Sequence, residues 1–338
     1  MSASSSSGSP APTVAVVGAT GLVGETVLRV FEERGFPVGE LRALGSARSA
    51  GTRVHFRGKE HAVEEATTER LRGADFVFFA ATGELSRSMA PAAAAAGAVV
   101  IDKSSTWRMA AHVPLVVPEI NPGALAPFGR TGGIVSCPNC TTIGLVMALE
   151  PLRRAAGLAH VTVTTLQAAS GAGREGLDEL RGQRSALFPR ALAGNVIPQC
   201  ERFQESGYTT EEQKLSDETR KILALPALPV TMTCVRVPVA VGHSAAVLVE
   251  TEHPLSPEEA LDALRAFPGL SVGSANEYTT PLELAGRDDV HRDDVHVGRV
   301  RRDPTHPRRL WLWTVVDNIR KGAATNAVQI AEELLARR

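Results

Sequence analysis

The run Gly18-Ala-Thr-Gly-Leu-Val-Gly24 restricts this chain more than any other stretch, because of what stands on either side of it. Ahead of it, Thr13-Val-Ala-Val-Val17 is short, apolar and β-branched; behind it, Glu25 to Glu33 carries Val27, Leu28 and Phe31 at helical spacing. A strand that turns through glycines into a helix lets backbone approach a pyrophosphate, while the first N–H groups of the helix face its charge. The same residues also suit a plain tight turn, so the motif gains meaning only from its neighbours. Leu41 to Gly45 reads as a second strand and runs into Ser46-Ala-Arg-Ser-Ala-Gly51. NAD sites place an acid at the end of this strand for the ribose hydroxyls. Here Ser46, Arg48 and Ser49 form a basic, hydrogen-bonding loop suited to a 2′-phosphate, which favours NADP(H). An exposed arginine without a ligand is the plainer alternative.

The alternation continues with a strand over Phe76 to Ala81, an alanine-rich helix over Ser88 to Ala96 and a strand over Val99 to Asp102. Apolar strands with intervening helices predict an α/β Rossmann domain, a parallel sheet covered on both faces. A chain of 338 residues exceeds one ordinary core, so a second domain is expected. Val161 to Leu166, Met232 to Val239 and Ala245 to Glu250 read as β-branched strands, with helices over Asp217 to Leu225 and Pro257 to Phe267. They predict an α+β domain with a mixed, largely antiparallel sheet. From Lys321 to Arg338, Ala324, Ala327, Val328, Ala331, Leu334 and Leu335 share one helical face that must dock somewhere. The expected divisions are a disordered tail over 1–12, a cofactor domain over 13–138 completed by 318–338, and a catalytic and dimerisation domain over 139–317.

Lys plus Arg (36) nearly cancels Asp plus Glu (37), which gives no electrostatic case for nucleic acid or an anionic membrane. No apolar run is long enough to span a bilayer. The first dozen residues lack the basic start and apolar centre of a secretory signal, and the four cysteines show no disulfide framework, which suits a reducing cytoplasm.

Chemistry concentrates in Ser136-Cys-Pro-Asn-Cys-Thr-Thr142. Gly133 to Ser136 reads as a strand and Thr141 to Leu149 as a buried helix, so Cys140 stands where free N–H groups and the helix dipole favour thiolate. This is the expected covalent nucleophile. Two other readings stay open: Cys137 and Cys140 as a redox pair or half a zinc site, and a buried structural thiol. The other cysteines, Cys200 and Cys234, are isolated and no second pair completes a metal site, so no metal is expected.

Read in order, the blocks Gly18 to Gly24, Ser46 to Gly51, Ser104-Ser-Thr-Trp-Arg-Met109, Pro138 to Thr142, Gln167-Ala-Ala-Ser-Gly-Ala-Gly173, Glu211-Glu-Gln-Lys214, Cys234-Val-Arg-Val-Pro-Val239, Gly242-His-Ser244 and Asp317-Asn-Ile-Arg-Lys-Gly-Ala-Ala324 resemble the aspartate-semialdehyde dehydrogenase family. The resemblance implies NADPH-dependent reduction of aspartyl phosphate to aspartate semialdehyde, on the route to lysine, threonine and methionine, by a homodimer. A thioester on Cys140 and a proton carried by His243 fit that chemistry, and the fork of Arg236 suits the substrate carboxylate. By resemblance, Gln167 orients the acyl group, Glu211 takes the substrate ammonium, and Arg108 and Lys214 hold phosphate. Gly18, Thr20, Gly21, Leu22, Val23, Gly24, Arg48, Ser49, Ser170, Gly171 and Gln329 would meet the cofactor. The chain departs from the family at Lys103, where an asparagine is usual, at Cys137, and in Ala81-Thr-Gly83. The competing readings are an N-acetylglutamyl-phosphate reductase-like enzyme, a specialised paralogue, and a non-catalytic NADP-binding redox sensor using Cys137 and Cys140.

Overall fold

The computed structural model describes residues 10–128, 131–183 and 186–337; positions 1–9 of the expected tail, and Arg338, lie outside the described residues. Two six-stranded sheets organise the chain. The first runs Glu64–Glu65, Glu40–Gly45, Thr13–Val17, Phe76–Phe79, Val99–Asp102 and Gly133–Ser136, all parallel. Strand order reverses between Thr13–Val17 and Phe76–Phe79, and such a reversal opens a crevice at the carboxyl ends of those strands. Both faces of the sheet are covered. Val14, Val16, Phe76 and Phe78 pack on the helix Leu22–Glu33 and on the carboxyl-terminal helix Asn326–Leu335, through Ala327, Val328 and Leu334. Ala15, Val17, Val77 and Phe79 face Ala90 and Ala93 of the helix Gly83–Ala95. The terminal segment thus covers part of one face of the first sheet, although its first turn, Arg320–Thr325, is a π-helix.

The second sheet runs Val230–Arg236, His160–Gln167, His243–Glu250, Arg309–Val316, Val295–Arg302 and Leu270–Val272, antiparallel in the centre and parallel at both margins. Val163, Val247 and Leu312 pack beneath the helix Cys140–Ala156 and its neighbours Thr210–Leu223 and Pro257–Arg265. The opposite face shows Thr164, Ala246, Leu248, Trp311 and Trp313 partly open. Several boundaries differ from expectation. The strand expected to reach Val239 ends at Arg236, because Pro238 has no N–H to continue a ladder. The helix expected from Asp217 begins at Thr210, started by a reciprocal cap between Thr209 and Glu212. The strand expected from Ala245 begins at His243.

Candidate active site

Cys140 is placed by the crossing from one sheet to the other. The last strand of the first sheet ends at Ser136, and the helix from Cys140 runs under the second sheet. Asn139 caps that helix, its side chain accepting the Thr141 N–H at 2.7 Å. Three strand ends of the second sheet meet it. Arg236 lies in register with Gln167, and His243 stands one position beyond the Ser244–Leu166 pair. All three are buried on the face covered by the Cys140 helix. They converge with Cys140, Asn139, Phe188 and Glu211 on a cavity of about 640 Å³.

The side chains hold one another in position. Glu211 Oε1 accepts from Asn139 Nδ2 at 2.9 Å and from Gln167 Nε2 at 3.3 Å. Arg236 Nη1 donates to the Ala168 carbonyl at 2.6 Å, its guanidinium lies 5.5 Å from the Phe188 ring centre, and its buried Nε has no partner among the described residues. Gly171 lets both side chains lie close against the backbone, and a larger residue there would make them shift. A Cβ on Gly171 would come within 2.6 Å of Arg236 Nη1 and 3.1 Å of His243 Nε2. His243 accepts the Ala168 N–H on Nδ1 at 3.0 Å. Burial, and then Arg236, hold the imidazole pKa well below its ordinary value, so the ring is neutral.

The expected bias of Cys140 toward thiolate is not met in the cavity as it stands. Burial, and then Glu211, push the thiol pKa up, while Lys103, Arg108 and Arg236 pull it down. Burial, followed by Glu201, also raises the Glu211 carboxyl, against Lys214 and Asn139. Glu211 and Lys214 do not form the solvated pair that their spacing allows. Glu211 is buried, and Lys214 is closely paired with Glu201 and lies 3.9 Å from Glu211. Cys200 also lines the cavity, and burial drives its thiol up to about 12.

Arg108 is not at the surface. It donates to the carbonyls of Cys137 and Lys103, at 3.0 and 2.8 Å, and to Glu218 Oε1 at 2.9 Å. Glu218 escaped sequence analysis. Its other oxygen accepts the Asn139 N–H at 2.7 Å, so it ties Arg108 to the start of the nucleophile's helix. Glu218 lies two turns beyond Glu211 on the same helical face, a signal available once the helix is started at Thr210. Removing this carboxylate by Glu218→Ala leaves Arg108 buried and unpaired, at an expected cost of about 3–5 kcal/mol. Urea unfolding checks the value, and Glu218→Gln, which keeps an acceptor, should lose clearly less.

Lys103 donates to the carbonyls of Pro138 and Gly322, at 3.2 and 3.1 Å, joining the loop before Cys140 to the π-helical turn. Cys137 is fully buried in the first core, its sulfur met by Asn326 Nδ2 at 3.7 Å. Cys137 and Cys140 are both free thiols.

Most of the residues expected at a dinucleotide gather at the first strand-to-helix turn and the loop after the second strand. Gly18 has φ +86°, and a Cβ there would lie 2.5 Å from the Ala80 carbonyl oxygen, so glycine alone keeps the crevice open. Thr20, Gly21, Leu22 and Val23 form the start of the helix Leu22–Glu33, whose cap position, Gly21, has no side chain to occupy the N–H groups. Arg48 is exposed at the end of the second strand, beside Ser46 and Ser49, whose hydroxyls are 3.1 Å apart. Ser170 is hydrogen-bonded to Asn318, which also accepts the Gly242 N–H at 2.8 Å. Asn318, unremarked in the sequence, thus links Ser170 to the backbone just ahead of His243. Gln329 stands apart, its amide used by Lys321 at 2.7 Å and Glu119 at 2.8 Å. Among the described residues no cluster of three or more His, Cys, Asp or Glu is arranged to hold a metal ion.

Known proteins share this arrangement of sheets. Residues 13–127 match the semialdehyde dehydrogenase NAD binding domain and residues 149–321 the semialdehyde dehydrogenase dimerisation domain. The chain is 47% identical over 337 residues to the aspartate-semialdehyde dehydrogenase of Aquifex aeolicus, covering 95% of this chain and 97% of that protein. It is 42% identical to that of Bacillus subtilis, over 95% of this chain and 96% of the relative. The crystal structure of aspartate semialdehyde dehydrogenase II of Vibrio cholerae complexed with ASA superposes with a TM-score of 0.90 at 44% identity, covering 97% of this chain and 99% of that one. Identity at this level, carried through both sheets and the crossing between them, makes this chain a member of the aspartate-semialdehyde dehydrogenase family, an oxidoreductase with an NAD(P)-binding domain.

Proposed function

We propose that the protein reduces L-4-aspartyl phosphate to L-aspartate 4-semialdehyde with NADPH, reversibly, in lysine, threonine and methionine biosynthesis. The observation that carries this reading is the pairing of charges around Cys140. A substrate with its acyl carbon at the thiol meets the unfilled fork of Arg236 with its carboxylate and buried Glu211 with its ammonium. A buried carboxyl raised by its surroundings regains its charge when an ammonium arrives. An N-acetyl group brings no such charge, which favours the aspartyl substrate over the N-acetylglutamyl one. Lys214, beside Glu201 and Glu211, suits the phosphate. Arg108, with three of its five N–H groups spent on protein, has two to offer. Residues 13–138 with 318–338 would serve as the cofactor domain and 139–317 as the catalytic and dimerisation domain. NADPH, when bound, supplies the hydride. Gln167 orients the acyl group and His243 carries the proton of the thiol, both from strand ends lining the cavity.

The direct test is phosphate-dependent reduction of NADP with aspartate semialdehyde, run beside N-acetylglutamate semialdehyde. Activity with the second aldehyde and none with the first would move the assignment to the N-acetylglutamyl enzyme.

Arg48, Ser46 and Ser49 support NADPH over NADH. Arg48→Ala should raise the KM for NADPH about 10–100-fold, the loss of one charged phosphate contact, and leave the KM for NADH nearly unchanged. Steady-state kinetics with both cofactors separates the outcomes.

The open face of the second sheet supports a homodimer. The rows Thr164–Ala246–Trp313 and Thr162–Leu248–Trp311 cross three strands without a charge, where a solvated face would carry several. Leu248→Glu should therefore convert a dimer to monomers in sedimentation velocity. Among the described residues no helix is long and apolar enough to cross a membrane, and free thiols suit the cytoplasm we assign to the protein.

A further inference from the structure

Lys103 is one of the positions at which the chain departs from its family, and it is not among the residues that converge on the cavity. We propose that Lys103 is a positioning residue for the nucleophile, its ammonium held on two carbonyls as the counter-charge of the Cys140 thiolate. This rests on the reading of Cys140 as nucleophile and adds a side chain to that site.

Three observations carry the inference. First, Lys103 holds the backbone that walls Cys140. Its Nζ donates to the Pro138 carbonyl, two residues ahead of the thiol, at 3.2 Å and to the Gly322 carbonyl at 3.1 Å. Gly322 packs directly on the nucleophile: a Cβ there would lie 2.9 Å from Cys140 Cβ. Second, no carboxylate among the described residues pairs with this half-buried cation. Glu218, the carboxylate that acts on it, accepts Arg108 Nη1 on one oxygen at 2.9 Å and the Asn139 N–H on the other at 2.7 Å. Asp102, next in the chain, accepts from Ser104 on both oxygens, at 3.2 and 2.7 Å. A cation withdrawn from water without a partner is unfavourable, and a negative charge formed beside it relieves that. Third, an ammonium has three N–H groups and the carbonyls occupy two, which leaves one for a charge that forms in the reaction.

The surrounding charges agree. Burial lowers the Lys103 pKa, Cys137, Cys140 and Glu218 support its charge, and Arg108 opposes it. Around Cys140, burial and Glu211 oppose the thiolate, and of the cations that favour it Lys103 acts most strongly, ahead of Arg108 and Arg236. Cys137 is sealed in the first core, its sulfur met by Asn326, so the thiol open to the cavity is Cys140. Cys200, Glu201, Arg202 and His243 are the other titratable groups around the cavity. When the thiol proton leaves through His243, the charge left on sulfur faces Lys103, which itself gives and takes no proton.

The test follows alkylation of Cys140 by iodoacetamide across a range of pH in the full-length protein, read on the Cys140 peptide by mass spectrometry. Lys103→Met removes the charge and both hydrogen bonds; Lys103→Gln removes the charge and keeps an N–H donor for the carbonyls. We expect the midpoint of the alkylation profile to move to higher pH in both, with the rate at neutral pH about three- to tenfold lower. Profiles that match wild type in both variants would overturn the proposal. So would a loss in Lys103→Met that glutamine restores, since Lys103 would then be a backbone tie alone. Urea unfolding establishes that each profile is read on folded protein, and if Lys103→Met does not fold, the glutamine profile decides. Alkylation needs no substrate. Failure of wild-type protein to turn over aspartate semialdehyde would sink the reaction assignment and leave this result standing, so the two failures are distinct.

Discussion

Cys140→Ser will lower turnover by about ten-thousand-fold or more while leaving folding and NADPH affinity unchanged. The serine hydroxyl matches the thiol closely in size, and the helix cap is supplied by Asn139, so nothing in the packing changes. What changes is the nucleophile. A thiol is a weak acid whose thiolate attacks readily, whereas a hydroxyl at the same place stays protonated near neutral pH. The ester that serine could form is also a poorer hydride acceptor than a thioester. The measurement is phosphate-dependent NADP reduction with aspartate semialdehyde, together with mass spectrometry of the protein after exposure to substrate. Wild-type protein should show the acyl adduct on the Cys140 peptide, and the variant none. Residual turnover within a hundredfold of wild type would remove Cys140 from the nucleophile's role.

Arg236→Lys is expected to reduce kcat/KM by about a hundredfold to a thousandfold, because lysine keeps the charge but not the fork. In the structure one arm of the guanidinium is anchored to the Ala168 carbonyl and the plane lies over Phe188, while Nε remains for a carboxylate. A lysine ammonium can satisfy the anchor or the substrate, not both in the same plane. The positive charge has a separate effect, since Arg236 is among the groups that draw the Cys140 pKa down against burial. Lysine at 236 should thus spare the rate at which iodoacetamide alkylates Cys140, whereas Arg236→Leu should slow it and lose the substrate as well. If Arg236→Lys leaves kcat/KM within threefold of wild type, the carboxylate must be held elsewhere.

Much of the architecture could be read from patterns of a few residues. The strand Val99–Asp102 and the strand Gly133–Ser136 have the expected bounds, and Thr13–Val17 with its glycine turn lies at the point where strand order reverses. These strands are buried on both faces and thus uniformly apolar, which makes them conspicuous. Ends were harder to place. The helix expected at Glu25 starts at Leu22 because Gly21 itself caps it, and the helix expected at Ser88 starts at Gly83 behind the Thr82 cap. The short strand Glu64–Glu65 and the hairpin of Arg53–Phe56 with Lys59–Ala62 went unseen, being exposed and polar. Within the site, Cys140, Gln167, Arg236 and His243 were named from their motifs and are gathered on one cavity. Gln329, named with the cofactor residues, is hydrogen-bonded to Glu119 and Lys321, while Asn318 lies beside Ser170.

The sequence by itself determined the class of fold and the kinds of residue that gather around Cys140, since these depend on local spacing and residue chemistry. Only the tertiary structure decided how each group is used. The neutral state of His243 follows from burial and from Arg236, which another strand of the sheet sets beside it. The task of Arg108 is set by Glu218, 110 residues away along the chain. The raised thiol of Cys140 reflects burial beneath a sheet whose six strands are spread over residues 160–316. Protonation and hydrogen bonding respond to what lies within a few ångströms, and in this protein the nearest groups are distant in the chain.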